Sequence, residues 1–266
     1  MSREWERCWI IGAGLLGSAL ATLCHANNRR VLTLDKQAPA DVVGDAADAT
    51  VLNNARTLLE PEVVFLCQAT QGGTAEEYRS AYIHVAEQVL SSVPQAKVVL
   101  CSSTSVYGSV SGAVDEKTLP VSPTEKAQIL LQTEQMVLER GAAVARLAPL
   151  YATGRCELLR RHMAGEPRLA GTDTRMLNYV HAEDAAQALF LLSAASGVYH
   201  VCGESLSLGD AYRMLEQESG VARSVEIAAA GRRGLSDRRI DSSRMLTLGW
   251  QPRHTLASFI REQLKP

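Results

Sequence analysis

The hydrophobic pattern of the chain alternates between short apolar runs and longer stretches in which apolar residues recur every three or four positions. The short runs predict buried strands, and the longer stretches predict amphipathic helices that cover them. The first strand, Cys8–Ile11, is followed by a helix with an apolar stripe from Leu16 to Leu23 and by a second strand, Arg30–Leu34. The chain therefore opens with a predicted β-α-β unit.

The same alternation continues through the middle of the chain. Further strands are predicted at Val63–Leu66, Lys97–Cys101 and Ala142–Leu147, with long helices at Ala75–Leu90 and Pro123–Arg140. Strands that alternate with helices favour a doubly wound parallel sheet with helices on both faces, an α/β fold of the Rossmann type. In such a fold, ligands bind at the carboxyl edge of the sheet, where the strand order reverses.

Glycines in the turn after the first strand point to a dinucleotide site. Gly12 permits a tight turn, Gly14 leaves room for a pyrophosphate, and Gly17 lets the helix approach the strand. Leu15 and Leu16 begin the helix, whose free N–H groups would face the phosphates. An ordinary β-α-β turn would also explain the three glycines.

Asp35 follows the second strand about twenty residues after the glycines, where dinucleotide-binding units carry an acid. An acid in this position accepts hydrogen bonds from the adenosine ribose and repels a 2′-phosphate. The sequence therefore favours NAD over NADP. NADP stays open, because Arg29, Arg30 and Lys36 could neutralise a phosphate.

The segment after Asp35 has two interpretations. A short strand that ends in Gly44 and Asp45 would place the Asp45 side chain and the Ala46 backbone beside an adenine ring. Alternatively, the acids of this segment mark a helix start, with Asp48 as the N-cap.

Two later strand ends should line the ligand cleft. The loop from Ala69 to Gly73 follows a strand at the predicted switch point, so it would contact the cofactor. The strand that begins at Lys97 ends in four consecutive hydroxyl residues, Ser102 to Ser105. Hydroxyl groups at that edge can bind a substrate carbonyl or hydroxyl, and Ser102 is also expected to contact the cofactor.

The predicted elements divide the chain into two parts. We expect residues 1–150 to form the dinucleotide-binding domain, whose last strand and helix return around residues 177–201. Residues 151–176 and 202–266 are expected to form a smaller substrate-binding lobe. A chain of 266 residues is long enough for both.

The composition narrows the classes of partner. With 27 Lys and Arg against 29 Asp and Glu, the formal net charge is −2, so no basic surface for nucleic acid is expected. No apolar run reaches the roughly eighteen residues of a membrane span, and the first strand lacks the basic flank of a signal peptide. Six scattered cysteines suggest neither a metal site nor a disulfide frame. We expect a cytoplasmic protein with a small-molecule substrate.

The order of these motifs resembles the extended short-chain dehydrogenase/reductases, the NAD-dependent epimerase/dehydratase group that mostly acts on nucleotide sugars. The likeness covers nearly the whole chain. Beside the glycine motif with Asp35, it is carried by the segments SSTSVYG (Ser102–Gly108), VDEKTLPVSPT (Val114–Thr124), RLAPLYATGR (Arg146–Arg155), NYVHAEDAAQAL (Asn178–Leu189) and SSRMLTLGWQP (Ser242–Pro252).

The resemblance implies Ser103 as the catalytic hydroxyl that binds the reacting oxygen. In that family, the Tyr of a Tyr-x-x-x-Lys motif transfers the proton, and the Lys holds the cofactor ribose and activates the Tyr. This chain has no tyrosine between Pro120 and Glu134. When Glu134 is aligned with the acid that usually follows the motif, Lys126 falls near the Tyr position and Leu130 takes the Lys position. Lys126 is therefore the second catalytic candidate.

The same comparison suggests contacts to the substrate. We expect five residues to make them: Thr104, Tyr107, Tyr151, Arg155 and Arg175. The arginines could clamp a diphosphate, although a solvated basic face would also explain them. Four arginines surround a predicted turn before Ile240 and Asp241. Of these, Arg238 or Arg239 is expected to face the ligand, and the others, Arg232 and Arg233 among them, to face water.

His181 and Asp184 open a predicted helix. A carboxylate suits the first helical turn, and an isolated histidine is more often a neutral structural residue than a base. We expect both to be structural.

The missing tyrosine leaves more than one function open. The first is an epimerase, dehydratase or reductase with a different proton relay, in which Ser103, Lys126, Thr104 and Tyr151 are the candidates. The second is a dinucleotide-binding sensor without redox turnover. An enzyme that uses a tightly held NAD for other chemistry, or a scaffold that has lost its cofactor, completes the alternatives.

A homodimer is also expected from the resemblance, since many relatives pair through their two long helices. The apolar face with Ile129, Leu130, Met136 and Val137 is long enough for such an interface. The same face could instead cover the sheet of its own chain.

Overall fold

The computed structural model describes residues 5–70, 72–121, 124–222 and 237–265. These residues form twelve strands: β1 (Arg7–Ile11), β2 (Arg30–Asp35), β3 (Val42–Val43), β4 (Val63–Leu66), β5 (Lys97–Ser103), β6 (Gly112–Val114), β7 (Ala143–Leu147), β8 (Leu150–Tyr151), β9 (Met176–His181), β10 (Gly197–Val201), β11 (Glu204–Ser207) and β12 (Arg238–Ile240). They also form ten α-helices: α1 (Leu15–Ala26), α2 (Ala49–Leu58), α3 (Ala75–Arg79), α4 (Val85–Ser92), α5 (Glu125–Leu138), α6 (Glu157–Met163), α7 (Ala182–Leu192), α8 (Leu208–Ser219), α9 (Ser243–Leu246) and α10 (Leu256–Gln263). None of these helices is both long enough and apolar enough to cross a membrane.

Seven strands form one parallel sheet in the order β10-β7-β5-β4-β1-β2-β3. The strand order reverses at β1, which pairs with β2 on one side and with β4 on the other. Both faces of the sheet are covered, because Cys8 and Ile10 of β1 pack into one core and Trp9 and Ile11 into another. The predicted doubly wound α/β fold is confirmed.

The helix predicted at Ala75–Leu90 is present but is not uniform. Thr74 caps α3 in a reciprocal capping box with Glu77, and a π-helical segment, Ser80–His84, then joins α3 to α4. The side-chain amide of Gln68, in the loop after β4, donates to the backbone carbonyl of Ala81 in the π segment at 2.9 Å. The carboxyl end of β4 is thereby tied to this helix.

The long helix α5 packs against its own chain. Thr124 caps it, while Pro123, the first residue of the predicted helix, lies outside the described part of the chain. Ile129, Leu130 and Val137 are at most 3 % exposed and belong to the cores beside the sheet. The apolar face that could have served a homodimer therefore covers the sheet of its own chain.

The C-terminal half adds two small sheets and a third core. β11, β9 and β8 form one sheet, and β12 pairs in parallel with β6 in the other. Tyr151, Leu158, Leu215 and Phe259 are buried together in the third core. α7 instead packs on α1, beside the main sheet.

Asp184 fastens the C-terminal segment to the start of α7. Its buried carboxylate accepts hydrogen bonds from the backbone N–H groups of Arg253 at 2.9 Å and His254 at 3.0 Å. Its backbone carbonyl accepts from the indole N–H of Trp250 at 2.8 Å. His181 caps the N-terminus of α7 with a ring nitrogen. Both Asp184 and His181 have the structural roles expected of them.

Candidate active site

The glycine loop between β1 and α1 is crowded on one side and open on the other. Gly12 has a φ of 97°, and a Cβ there would lie 2.5 Å from the backbone nitrogen of Gln68. A Cβ on Gly17 would lie 1.9 Å from the carbonyl oxygen of Gly12, so only glycine lets α1 approach this closely. At Gly14, no atom of the described chain lies within 4 Å of a Cβ position. This open side is where a pyrophosphate would approach.

The N-terminus of α1 presents backbone donors to the same open side. Gly14 is the N-cap, no described side chain caps the helix, and its first turn carries no acidic residue. The N–H groups of Leu15 and Leu16 are therefore placed to reach phosphate oxygens. Leu16 is 6 % exposed, so it can contribute only through its backbone.

Asp35 stands at the end of β2, directly beside the glycine loop. Its Oδ2 accepts a hydrogen bond from the backbone N–H of Ala13 at 2.7 Å, and its Oδ1 accepts from Gln37 at 3.1 Å. Each carboxylate oxygen can accept a further bond. The carboxylate is thus held in the place where a dinucleotide presents its ribose hydroxyls.

Asp45 forms an ion pair with Lys36, one of the three cations that could have neutralised the 2′-phosphate of NADP. Its Oδ2 lies 2.8 Å from the Nζ of Lys36, and its Oδ1 accepts from the backbone N–H of Ala47 at 3.0 Å. Burial would raise the pKa of Asp45, but the bonds from Lys36 and Ala47 outweigh burial and hold that pKa below its ordinary value. The pairing reduces the positive charge that Lys36 could offer to a 2′-phosphate.

Both interpretations of the segment after Asp35 have a structural counterpart. The short strand β3 precedes Asp45, as the adenine-side interpretation requires. Asp48 also caps α2, because its side chain accepts from the backbone N–H of Thr50 at 2.7 Å. Ala46 is 5 % exposed, so any contact with a ligand would be limited to a small part of the residue.

The carboxyl end of β4 carries two buried polar atoms. One belongs to Gln68, which sequence reasoning missed, and the other to Thr70, which lies in the loop that the sequence predicts to contact the cofactor. Oε1 of Gln68 and Oγ1 of Thr70 are buried and have no hydrogen-bond partner within the described chain. A buried unsatisfied polar group costs about 1–3 kcal/mol, so both atoms suit a ligand that brings donors or acceptors. Ala69, between them, is exposed and carries no polar side chain. Polar residues directly after a buried strand at the switch point were the available signal.

The hydroxyl residues at the end of β5 point in different directions. The Oγ of Ser103 accepts from the backbone N–H of Ser105 at 3.1 Å, and Ser103 is half-buried. Its own O–H can therefore still donate to a ligand. The hydroxyl of Ser102 instead donates to the buried carboxylate of Glu134. Thr104 is 5 % exposed, which leaves little of it for a substrate.

Glu134 belongs to a buried network that sequence reasoning did not identify. Arg146 binds it with two groups, Nη2 at 2.6 Å from Oε2 and Nε at 3.1 Å from both oxygens. Burial would lower the pKa of Arg146, but Glu134 outweighs burial and raises it. Tyr107 accepts from Nη1 of Arg146 at 2.7 Å. Because Nδ1 of His200 lies 3.0 Å from the carbonyl of Asp241 and must donate to it, Nε2 accepts from Tyr107 at 2.6 Å. Tyr107 is fully buried within this network, and its contact with a substrate stays a prediction.

Lys126 reaches across from α5 to the loop before α3. Its Nζ donates to the backbone carbonyl of Gly73 and lies 5.0 Å from the ring centroid of Tyr78. Leu130, one turn later, is 3 % exposed in the core and offers nothing to a ligand. Lys126 therefore lies beside the loop that follows β4, at the carboxyl edge of the sheet. The position of the motif lysine is occupied by the apolar Leu130.

The predicted substrate residues of the small lobe are spread over its surface and interior. Tyr151 is 1 % exposed, packs edge-on against Phe259, and its hydroxyl has no partner among the described residues. Arg155 lines a surface groove of about 480 Å³ together with Gln263. Arg175 folds back beside Gly171, with its buried Nε unpaired in the described part of the lobe.

Arg238, the first residue of β12, is a buried cation beside Gly108. It is 8 % exposed, its Nη1 donates to the carbonyl of Gly108 at 2.8 Å, and burial lowers its pKa. No carboxylate of the described residues forms an ion pair with it. Arg239 is exposed, and Arg232 and Arg233 lie outside the described residues.

One group of side chains has the residue types of a metal site but not the geometry. Ligand atoms of His181, Glu183 and His254 lie within 4.8 Å of one another. The two imidazole rings stack with centroids 3.9 Å apart at an angle of 25°. Nearly parallel rings direct their lone pairs along parallel lines and not toward a common ion, so the stack is explained by packing.

The comparisons with known proteins agree with this geometry. The sequence model of the NAD dependent epimerase/dehydratase family matches residues 8–202. The protein YeeZ of Escherichia coli strain K12 is 27 % identical over 220 residues, which cover 73 % of this chain and 76 % of YeeZ.

Two solved structures show the same fold over nearly the whole chain. The UDP-glucose 4-epimerase of Thermotoga maritima with UDP-glucose superposes with a TM-score of 0.80 at 17 % identity, covering 97 % of each chain. The UDP-glucose 4-epimerase of Thermus thermophilus in complex with NAD superposes with a TM-score of 0.80 at 20 % identity, covering 96 % of each chain. Identities this low establish the shared fold and leave the reaction to be argued from the site.

Proposed function

The chain belongs to the NAD-dependent epimerase/dehydratase family, and on that premise we propose that it is an NAD-dependent enzyme that epimerises, dehydrates or reduces a nucleotide sugar. The observation that carries the proposal is the open Gly14 face of the glycine loop, with the Asp35 carboxylate fixed beside it by Ala13. NAD supplies an acceptor and, when reduced, a donor of a hydride.

The residues of this chain fit NAD well. Backbone N–H groups at the start of α1 would hold the pyrophosphate, and Asp35 the adenosine ribose. The unpaired side-chain oxygens of Gln68 and Thr70 would bind polar groups of the cofactor at the carboxyl end of β4. Asp35 disfavours a 2′-phosphate, and the ion pair between Lys36 and Asp45 weakens the case for NADP.

A nucleotide sugar is supported by the similar solved structure with UDP-glucose and by the buried Arg238. A guanidinium that is buried without a carboxylate partner suits an anionic ligand, and a diphosphate can bind it bidentately. Arg155 and Arg175 in the small lobe are the further candidates for contacts with the nucleotide.

Ser103 is proposed to donate a hydrogen bond to the reacting oxygen of the sugar. Its hydroxyl lies at the carboxyl end of β5, the strand next to β4, and is already oriented by the N–H of Ser105. Such a bond stabilises negative charge as it develops on a carbonyl oxygen. The positive charge of Lys126 at the β4 loop would act in the same direction.

A sensor without turnover is the second candidate, because the Lys position of the family motif holds the buried Leu130. In that case, ligand-dependent changes in assembly or partner binding should survive the change Ser103→Ala. An enzyme should instead lose turnover in that variant while it still binds NAD.

The first experiment is a calorimetric titration of the purified protein with NAD, NADH, NADP and NADPH, followed by assays with UDP-glucose, UDP-glucuronic acid and dTDP-glucose. We expect tight NAD binding and product formation from one of these sugars. NAD binding with no turnover across the panel would favour the sensor. The absence of all dinucleotide binding would overturn both candidates.

A homodimer and a cytoplasmic location remain predictions. Since Ile129, Leu130 and Val137 are buried within their own chain, a dimer would have to use other residues of the long helices. Light scattering after gel filtration tests this directly, and a monomer at micromolar concentration would contradict it.

A further inference from the structure

The start of α3 and the start of α5 lie at the same edge of the sheet as Ser103. α3 follows the carboxyl end of β4, and α5 follows the segment after β5, so both helices begin where the ligand cleft of a doubly wound sheet lies. Tyr78 is on the first turn of α3, and Lys126 is the second residue of α5. The two helices pack against each other.

Tyr78 and Lys126 are in contact across these two helices. The Nζ of Lys126 lies 5.0 Å from the ring centroid of Tyr78, within the range of a cation–π interaction. The same Nζ donates to the carbonyl of Gly73, which fixes it at the β4 loop. The ring of Tyr78 also contacts the ring of Tyr82, with centroids 5.2 Å apart and an interplanar angle of 35°.

The other tyrosines are unsuited to proton transfer at this edge. The chain has seven, all within the described residues. Five of them are less than 9 % exposed: Tyr82, Tyr107, Tyr151, Tyr199 and Tyr212. Tyr179 is half-buried but lies in the sheet of the small lobe, beside Tyr151. Tyr78 is thus the partly exposed tyrosine at the carboxyl edge of the main sheet.

We propose that Tyr78 is the proton donor and acceptor of the reaction, with Lys126 as its electrostatic partner. This inference rests on the proposed function. The family motif carries its Tyr and Lys four residues apart on one helix, whereas here α3 supplies the tyrosine and α5 the lysine. The pair would restore on two helices the chemistry that the sequence of α5 has lost.

In the proposed step, Tyr78 gives its proton to the oxygen of the sugar carbonyl. During reduction of a sugar carbonyl, a hydride from the reduced cofactor forms the new C–H bond, and the π electrons of the C=O bond move to oxygen. That oxygen takes the proton of the Tyr78 hydroxyl, so one O–H bond breaks and another forms. The phenolate that remains lies beside the ammonium of Lys126 and regains a proton from water. Oxidation of a sugar hydroxyl is the reverse.

The change Tyr78→Phe removes only the hydroxyl and keeps the ring under Lys126. We expect kcat for the reactive sugar to fall at least about 100-fold, the range of a lost general acid, while KM and the Kd for NAD stay within about threefold. Tyr82→Phe is the matched control, one helical turn away, and should leave kcat unchanged. Lys126→Met should lower kcat, and Lys126→Arg, which keeps the charge, should restore part of it.

A second readout does not depend on turnover. Tetranitromethane should nitrate Tyr78 in the free protein, as located by peptide mass spectrometry, and NAD with UDP-glucose should protect it. The fully buried Tyr107 is the internal reference and should stay unmodified under both conditions.

The outcomes separate this inference from the proposed function. Turnover in the wild-type protein together with near-normal kcat in Tyr78→Phe would overturn the role of Tyr78 and leave the function standing. Nitration that the ligands do not reduce would also count against it. A wild-type protein that binds NAD but converts no sugar of the panel would overturn the function, and the role of Tyr78 with it.

Discussion

The backbone N–H of Ala13 donates to the carboxylate of Asp35 at 2.7 Å, which ties the glycine loop after β1 to the end of β2. One carboxylate therefore shapes the loop and is also the group that we propose to bind the cofactor ribose. If the proposal is correct, the shape of the loop and the cofactor preference both depend on this single side chain.

The change Asp35→Asn tests this arrangement. An amide can still accept from Ala13 but no longer repels a 2′-phosphate by charge, so the preference for NAD over NADP should shrink by about tenfold, the equivalent of roughly 1.4 kcal/mol. Calorimetric titration with both cofactors measures it.

Asp41→Asn is the matched control, because Asp41 is an exposed acid that binds Thr33 on the outer side of β2. It should leave the preference unchanged. Equal affinities for NAD and NADP in the wild-type protein would contradict the proposal that Asp35 selects NAD.

The glycine loop offers a pair of alanine substitutions with opposite consequences. Gly17→Ala would place a methyl group 1.9 Å from the carbonyl oxygen of Gly12. It should therefore lower the free energy of unfolding by several kcal/mol, and Tm with it. Gly14→Ala meets open space in the free protein and should fold normally. It should nevertheless weaken NAD binding, because its methyl group occupies the approach of the pyrophosphate.

Thermal unfolding and calorimetry distinguish the two variants. A folded Gly14→Ala protein that binds NAD with wild-type affinity would show that the pyrophosphate does not pass over this loop.

The glycine loop and Asp35 could be predicted because their signal is local. Strand, turn, helix and second strand follow one another within about thirty residues, and the hydrophobic period marks each of them. The same locality explains why α5 was recognised, and why Asp48 was identified as a possible cap. None of these inferences required knowledge of which distant segments meet.

The hydroxyl residues after β5 show where sequence reasoning stops. Successive side chains of a strand point to opposite faces, so neighbouring Ser102 and Ser103 cannot have the same surroundings. Ser102 donates to Glu134, and Tyr107 binds Arg146 and His200, partners that lie 32 to 93 residues away in the sequence. The contact between Tyr78 and Lys126 is equally non-local. Their positions on two helices become visible only when the helices are packed.

The ion pair between Glu134 and Arg146 should stabilise the fold only as a pair. Either single change, Glu134→Gln or Arg146→Met, leaves a buried group without its partner and should lower the free energy of unfolding by about 3–5 kcal/mol. The double variant should lose much less than the sum of the two. Denaturant unfolding of the four proteins gives the coupling energy.

An exposed ion pair provides the comparison. Asp210 and Arg213 lie one turn apart on α8 and are more than half exposed, so the same cycle there should give a much smaller coupling energy than the buried pair. Additive losses for Glu134 and Arg146 would mean that the two residues do not depend on each other.

His200 should make the protein less stable in mild acid. Burial lowers the pKa of His200, and the charge of Arg146 lowers it further. The carboxylates of Glu116 and Asp115 raise this pKa, but burial outweighs them. Because the folded state favours the neutral ring that accepts from Tyr107, the unfolded chain binds more protons between the lowered pKa and the ordinary value of about 6.5. Stability from this group is therefore complete above about pH 6.5 and is lost as the pH falls through the lowered pKa.

Denaturant unfolding between pH 7.5 and pH 5 should show this loss, and His200→Gln should reduce the slope. The variant keeps a side chain that can accept from Tyr107 but cannot titrate. His181, whose pKa is also lowered by burial and by His254, adds a second contribution that the variant leaves intact. The comparison therefore depends on the difference between the two slopes. Identical slopes for the wild-type protein and His200→Gln would show that the ring of His200 is not held neutral by the fold, and that the contact with Tyr107 does not depend on its protonation.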